Sequence, residues 1–375
     1  QRGRFEPFDF QGTAFSQGGY SAQYGQALSA IVDLKTWSRF GDFNANTYGI
    51  TPLSLSYGRA YGNDSTVCGI NLDYTNIEYF QNFNNEGFLS EYIKDRTNFE
   101  KAPEGFEVKA NYSKKFENGI YKFLGKYSSY SLGTSSSNSD IGTDFNLDND
   151  NMFFLTTYIG EINKDVILQL GLSYSDNEND SELIIDGFDE EENYFNNIVN
   201  IDSNDDLLQF RTVLSKKILG KSKIKFGMHF FDQSSGFNNY IFDEESFNSD
   251  QFSPSDQYGG NIDLNEFLST SFIEFDLRLF KKFALNAGLR YEKSDLLNKN
   301  SISPRFSSAY KIGKNSQFSY AYGKFFQTPD MGFDLWYRRN NIITDFNDSG
   351  LEFEEAAQNI FNYEWSKKGK IFRFE

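Results

Sequence analysis

Leu285-Asn286-Ala287-Gly288-Leu289-Arg290-Tyr291-Glu292 alternates without a break. Leu285, Ala287, Leu289 and Tyr291 fall on one side of an extended chain; Asn286, Gly288, Arg290 and Glu292 fall on the other. Side chains of a β-strand point to opposite faces in turn, so this stretch predicts a strand with one apolar and one charged surface. The same pattern recurs outward from it. Ile273, Phe275, Leu277 and Leu279 oppose Glu274, Asp276 and Arg278. Ile224, Phe226, Met228 and Phe230 oppose Lys225, Gly227 and His229, and Phe106, Val108, Ala110 and Tyr112 oppose Glu107, Lys109, Asn111 and Ser113. Some fifteen such strands follow one another from about residue 45. Short turns (Glu117-Asn118-Gly119, Leu219-Gly220-Lys221-Ser222, Lys281-Lys282, Gly313-Lys314-Asn315) carry Asn-Gly pairs or lysine. They alternate with long polar connections at about 79–103, 131–150, 178–206, 234–265 and 329–356, with one short exception at 295–300. Short turns at one end and long loops at the other describe a transmembrane antiparallel β-barrel.

The composition agrees. Of 375 residues, 41 are Phe and 23 Tyr, yet mean hydropathy is −0.58, as expected when apolar residues are spent on one strand face only. No stretch reaches the ~18–20 apolar residues of a membrane helix, which excludes helical membrane proteins and leaves barrels untouched. With 53 Asp+Glu against 36 Lys+Arg the formal net charge is −17, without the basic footprint of a nucleic-acid binder. One histidine and one cysteine leave no Cys/His zinc site and no disulfide framework. A soluble β-sandwich with one wet face is the alternative fold. It accounts poorly for so many strands with aromatic residues near their ends and all long loops on one side.

Residues 18–36, Gly-Gly-Tyr-Ser-Ala-Gln-Tyr-Gly-Gln-Ala-Leu-Ser-Ala-Ile-Val-Asp-Leu-Lys-Thr, resemble the end of the plug domain of TonB-dependent outer-membrane receptors. Gly288-Leu289-Arg290-Tyr291-Glu292, Ser303-Pro304-Arg305-Phe306, Ser319 through Pro329, and Phe361-Asn362-Tyr363-Glu364-Trp365 are similar to that family's barrel strands, in the right order. The resemblance implies an all-β protein in which residues 1–40 end a plug and 45–375 form part of a barrel of about twenty-two strands. It implies active uptake of a scarce ligand, a ferric siderophore or other metal complex, across the bacterial outer membrane. The partners would be outer-membrane lipid, the small-molecule ligand and the TonB energy-transducing complex, the last reached through an N-terminal segment missing here. The chain opens without a signal peptide and stops in what reads as a strand, so it is expected to be a piece of a longer protein. A passive porin-like channel lacks a plug; a surface adhesin or soluble β-protein would need no detergent.

Chemistry is sparse. No phosphate loop or nucleophile elbow occurs, and no enzyme is expected. The acids of 178–206 number eleven, with no Lys or Arg among them, and Asp189, Glu190, Glu191 and Glu192 are the densest run. Read as a loop at the mouth, they would favour a neutral or cationic ligand, or one bridged by Ca²⁺, over a bare ferric catecholate. Arg338 and Arg339 are the basic counter-candidates, and His229 is expected on the lumen face. Asp144, Asp148 and Asp150 form an oxygen-rich run that invites a weak, loop-bound Ca²⁺ but misses the EF-hand spacing. No other cofactor is expected. Cys68 alternates with Ile70 and Leu72 and reads as a packed or lipid-facing residue. Charge should be costly at Leu289, and loss of charge at Arg290 cheap.

Overall fold

The computed structural model describes residues 10–17, 19–36, 40–78, 98–137, 141–188, 194–243, 258–329, 351–367 and 369–374. Among the described residues, seventeen strands form two sheets. β1 (Phe10–Gln17) and β2 (Ala30–Thr36) pair with each other alone. The remaining strands make one fifteen-stranded antiparallel sheet in strict chain order. They are β3 (Phe43–Ile50), β4 (Ser54–Gly62), β5 (Thr66–Asn76), β6 (Asn98–Phe116), β7 (Gly119–Ser137), β8 (Ile141–Asn163), β9 (Val166–Phe188) and β10 (Tyr194–Lys217), then β11 (Lys223–Asp243), β12 (Tyr258–Leu279), β13 (Phe283–Ser294), β14 (Lys299–Lys311), β15 (Ser316–Gln327), β16 (Glu354–Lys367) and β17 (Lys370–Phe374). No helix among the described residues is long and apolar enough to cross a membrane.

The alternation read from 285–292 holds across the sheet. Leu289 lies opposite Ile273, which lies opposite Phe226, which lies opposite Leu214. All four are more than a third exposed, as a lipid-facing row must be when no lipid is present. Rings continue the row: Phe210 and Phe230 stack at 6.4 Å, Phe230 and Phe267 at 6.2 Å. The other face is closed over and sets charged and polar side chains among buried apolar ones such as Val213, Phe272 and Phe325. Glu274, Arg290, Glu292 and Ser303 are fully buried there, with Arg305 nearly so. The contacts that bury them come from residues 20–28, so the sheet curls around the N-terminal segment.

Three loops read from the sequence require correction. The stretch 131–150 is strand on both sides of residues 138–140, because β7 runs to Ser137 and β8 begins at Ile141. In the stretch 178–206, residues 178–188 and 194–206 are strand, since β9 reaches Phe188 and β10 starts at Tyr194. Likewise β11 and β12 extend into 234–265. About 9–11 tilted residues cross a bilayer. Strands β8 to β12 have 21 to 24, so they project far beyond it as a continuous sheet. Once both faces meet water, the apolar/polar alternation disappears while the ladder of backbone hydrogen bonds persists. A reading based on alternation therefore ends the strands too early.

Candidate functional site

The polar wall inside the curl is built around residues 20–28, and each side chain on it arrives by strand parity. In β12 and β13 the even-numbered residues face inward, so Glu274 lies beside Gly288, and Arg290 and Glu292 follow up the same strand. β14 adds Arg305 opposite Gly288, and Ser303 opposite Arg290. β11 and β10 bring Lys225, His229 and Arg211 onto the same face.

Glu274 is the first anchor. It accepts the Ser21 hydroxyl, the Ala22 backbone N–H at 2.8 Å and the Lys225 ammonium at 2.9 Å. Arg305 is the second. Its Nη1 donates to the carbonyls of Ser21 at 2.7 Å and Tyr24 at 2.6 Å. Its guanidinium lies 4.8 Å from the Tyr20 ring centre and 4.7 Å from that of Phe325, a cation held between two π-faces. Burial pushes the Tyr20 hydroxyl up to about 12 against the opposing pull of Arg305, so it stays a neutral donor, bonded to the Ala27 carbonyl.

Arg290 and Glu292 form the third element. Their 2.9 Å ion pair is fully buried. Gln26 ties it to the segment: its amide donates to Glu292 at 3.4 Å and its oxygen accepts from the Thr328 N–H at 3.0 Å. Gln26 does this from a left-handed backbone (φ 54°), a conformation that non-glycine residues rarely hold without compensating contacts. Gly25 lies against the guanidinium, and a Cβ there would come within 2.4 Å of the Arg290 Nε. Both Nη atoms of Arg290, one oxygen of Glu292 and the hydroxyls of Ser301 and Ser303 have no hydrogen-bond partner among the described residues. Farther along, Gln358 donates to the Leu28 carbonyl at 2.7 Å, Arg211 lies 5.5 Å from the Tyr24 ring centre, and Lys122 donates to the Thr36 carbonyl at 3.0 Å. Residues 20–36 thus touch strands from β7 to β16, through these polar groups and through two apolar contacts, Ala22 with Val213 and Phe272 and the Tyr20 ring with Phe325 at 4.5 Å.

Of the residues singled out from the sequence, His229 does face inward, but it packs within the wall. Its ring centre is 3.8 Å from that of Phe231, and its Nε2 is 3.3 Å from the Gln209 amide oxygen. Asp189, Glu190, Glu191, Glu192, Arg338 and Arg339 lie outside the described residues. Asp144, Asp148 and Asp150 lie along β8 rather than in a loop. Asp148 pairs with Lys101 at 2.9 Å and Asp150 accepts the Tyr127 hydroxyl at 3.0 Å. No cluster of three or more His, Cys, Asp or Glu that could hold a metal occurs among the described residues.

The neighbouring acids of the former 178–206 loop have a definite facing. Asp148, Asp180 and Asp202 lie in one cross-strand row, and Asp150 and Glu178 in the next. All share the parity of Leu208, Phe210 and Leu214, so they lie on the outer face of the sheet, above the apolar rows. The inner face at that height carries Asn149, Asn177, Asn179, Ser181 and Ser203, with one acid among them, Asp205, which accepts the Ser235 hydroxyl. Partial burial, followed by the charges of Asp202, Asp148 and Asp150, holds the Asp180 carboxyl above its ordinary range.

The anchoring residues were missed because their partners lie some 250 or more positions away in the chain. The available signal was the charge at strand centres on a face that should meet only water.

Comparisons with known proteins agree with this geometry. Residues 73–359 match the family model described as TonB dependent receptor-like, beta-barrel. No curated protein sequence matches. Among solved structures, the outer membrane transporter YddB from Escherichia coli is 11% identical with a TM-score of 0.63, covering 96% of this chain and 55% of that one. The siderophore receptor PiuA from Acinetobacter baumannii is 10% identical with a TM-score of 0.62, covering 94% and 59%. A mutant of the ferric enterobactin receptor PfeA from Pseudomonas aeruginosa is 12% identical with a TM-score of 0.59, covering 96% and 56%. The chain thus spans little more than half the length of these structures. At such identities they speak for the fold alone. The family match over most of the chain carries the assignment: the chain belongs to the TonB-dependent receptor-like β-barrel family, non-catalytic receptors of the bacterial outer membrane.

Proposed function

We propose that this chain is the plug-end and barrel portion of a receptor that imports a scarce ligand, a ferric siderophore or other metal complex, using energy delivered through TonB. Residues 1–40 end the plug and 45–375 belong to the barrel wall. The observation that carries the reading is the seat of residues 20–28. A segment that only had to seal a pore would be packed by apolar side chains. Here Glu274, Glu292, Arg305, Thr328 and Gln358 hold it by hydrogen bonds, Arg290 lies against Gly25, and the apolar contacts described above are few. Such contacts resist leakage at rest, yet they exchange for water one at a time when the segment is pulled. The solved structures named for ferric enterobactin and siderophores support this cargo class.

The test is uptake by the full-length receptor in cells starved of iron, with a panel of iron-loaded siderophores and with TonB present or absent. Accumulation of one of them that requires both the receptor and TonB is expected. Uptake that continues without TonB would mean a passive channel.

A further inference from the structure

A second polar feature of the lumen wall lies apart from the seat of residues 20–28. Below the end of β2, a cavity of about 140 Å³ opens between Thr36 and strands β5 to β8. Asn71, Lys109, Asn111, Ser113, Lys122 and Thr157 supply its polar lining, with Leu124 and Leu155 beside them. Among the described residues, two lysines line it and no carboxylate does. Lys109 is committed: its ammonium pairs with Glu107 at 2.7 Å, and Lys126 holds the other oxygen of that carboxylate at 2.9 Å. Lys122 is not. It is half-buried, and its only acceptors among the described residues are the carbonyl and hydroxyl of Thr36, at 3.0 and 3.4 Å. An ammonium has three N–H donors, so one is left for the cavity. Ser113 and Thr157 flank Lys122 directly across the two ladders, each placing a hydroxyl beside it. Asn111 is one row higher.

We infer that this cavity is an anion subsite that takes a carboxylate or phosphate group, with Lys122 as its charged donor and Ser113, Thr157 and Asn111 as neutral donors. Charge, donor number and the lack of any acid in the wall agree on the sign of the occupant. The position adds the role. Lys122 is three residues from the short turn between β6 and β7, at the end of the sheet opposite the projecting strands. Thr36, the last residue of β2, closes the cavity from inside. A group passing between the N-terminal segment and the wall would meet Lys122 as Thr36 moves away, and would replace its carbonyl as the acceptor. This role in passage rests on the uptake reading above; the binding chemistry does not.

The experiment is calorimetric titration of the purified full-length receptor in detergent, without TonB, using inorganic phosphate in one series and citrate in another. Saturable binding of either anion is expected, and the tighter of the two identifies the head group. Lys122→Met should weaken it by about tenfold or more, and Lys122→Arg should retain it. Lys101→Gln, which removes a lysine from the outer face, should leave it unchanged. Should Lys122→Met not assemble, Ser113→Ala serves instead, with a smaller weakening expected. Absence of saturable binding in the wild type, or equal binding in wild type and Lys122→Met, overturns the subsite. Neither result touches TonB-dependent uptake, which is measured separately.

Discussion

Arg290 shows how far a single residue can be read from sequence alone. Its place on the charged face followed from parity, and that placement holds. The expectation that losing its charge would be cheap does not fit its surroundings. Arg290 and Glu292 are both fully buried, and one segment of chain lies across them. Removing one member leaves an uncompensated buried charge, at a cost of about 3–5 kcal/mol. Arg290→Leu in the full-length receptor should therefore destabilise strongly in urea, and the Arg290→Leu/Glu292→Leu double variant should recover most of the loss. Additive costs in that cycle would mean the two residues do not act as a pair. Gly25 offers an independent check. A side chain there collides with the Arg290 guanidinium, so Gly25→Val should unseat residues 20–28 and open the β1–β2 connection to protease, with the sheet left intact. Nothing local to Gly25 discloses this, because the group it must avoid is 265 positions away.

Strands in the bilayer are legible because lipid and water impose opposite chemistry on alternate residues. Leu289 is six residues along β13 from Phe283, where that strand leaves the turn. At ~3.3 Å per residue and a tilt near 45°, that places it roughly 14 Å up, about mid-bilayer. Leu289→Arg should then cost about 2–4 kcal/mol, while the same change near the turn costs about 0–1. Equal unfolding midpoints for the two variants would refute the facing. Beyond the lipid the same strands lose their alternation, which is why β8, β9 and β10 were read as loops there. What holds them is backbone pairing, and what strains them is like charge across the ladder. Asp180 faces Asp148 on one side and Asp202 on the other. Its folded-state pKa is raised. The sign follows: ionised Asp180 opposes the folded sheet above that raised value, and the penalty fades as pH falls through it toward the unfolded value. Asp180→Asn should slow proteolysis of the β9–β10 ends at neutral pH, with its advantage over wild type vanishing in acid. A constant advantage across that range would exclude charge as the cause.

The molecule as a whole sorts its charge by face. Formal net charge is −17, yet the described lumen wall gathers Lys109, Lys122, Lys126, Arg211, Lys223, Lys225, Arg278, Arg290 and Arg305 alongside Asp73, Glu107, Asp205, Glu266, Glu274, Asp276 and Glu292. In the projecting sheet the acidic rows of Asp148, Asp180 and Asp202 and of Asp150 and Glu178 look outward, with Asp205 on the inner face. Composition and loop position suggested a negative mouth, because a sequence read as loop carries no parity and so no facing. Once those residues are strand, parity puts a wall between them and the cargo path. Across such a wall, and at a Debye length of ~8 Å in physiological salt, outer-face charges contribute little to capture inside. The argument against an anionic ferric complex therefore lapses for these residues. It leads to a direct reversal of the earlier expectation. Replacing Glu178, Asp180 and Asp202 together by their amides in the full-length receptor should leave the affinity for its iron-loaded ligand unchanged, even at low salt. A loss of affinity that shrinks as salt is added would mean that these carboxylates do steer the cargo, and that the outward facing of the projecting strands is wrong.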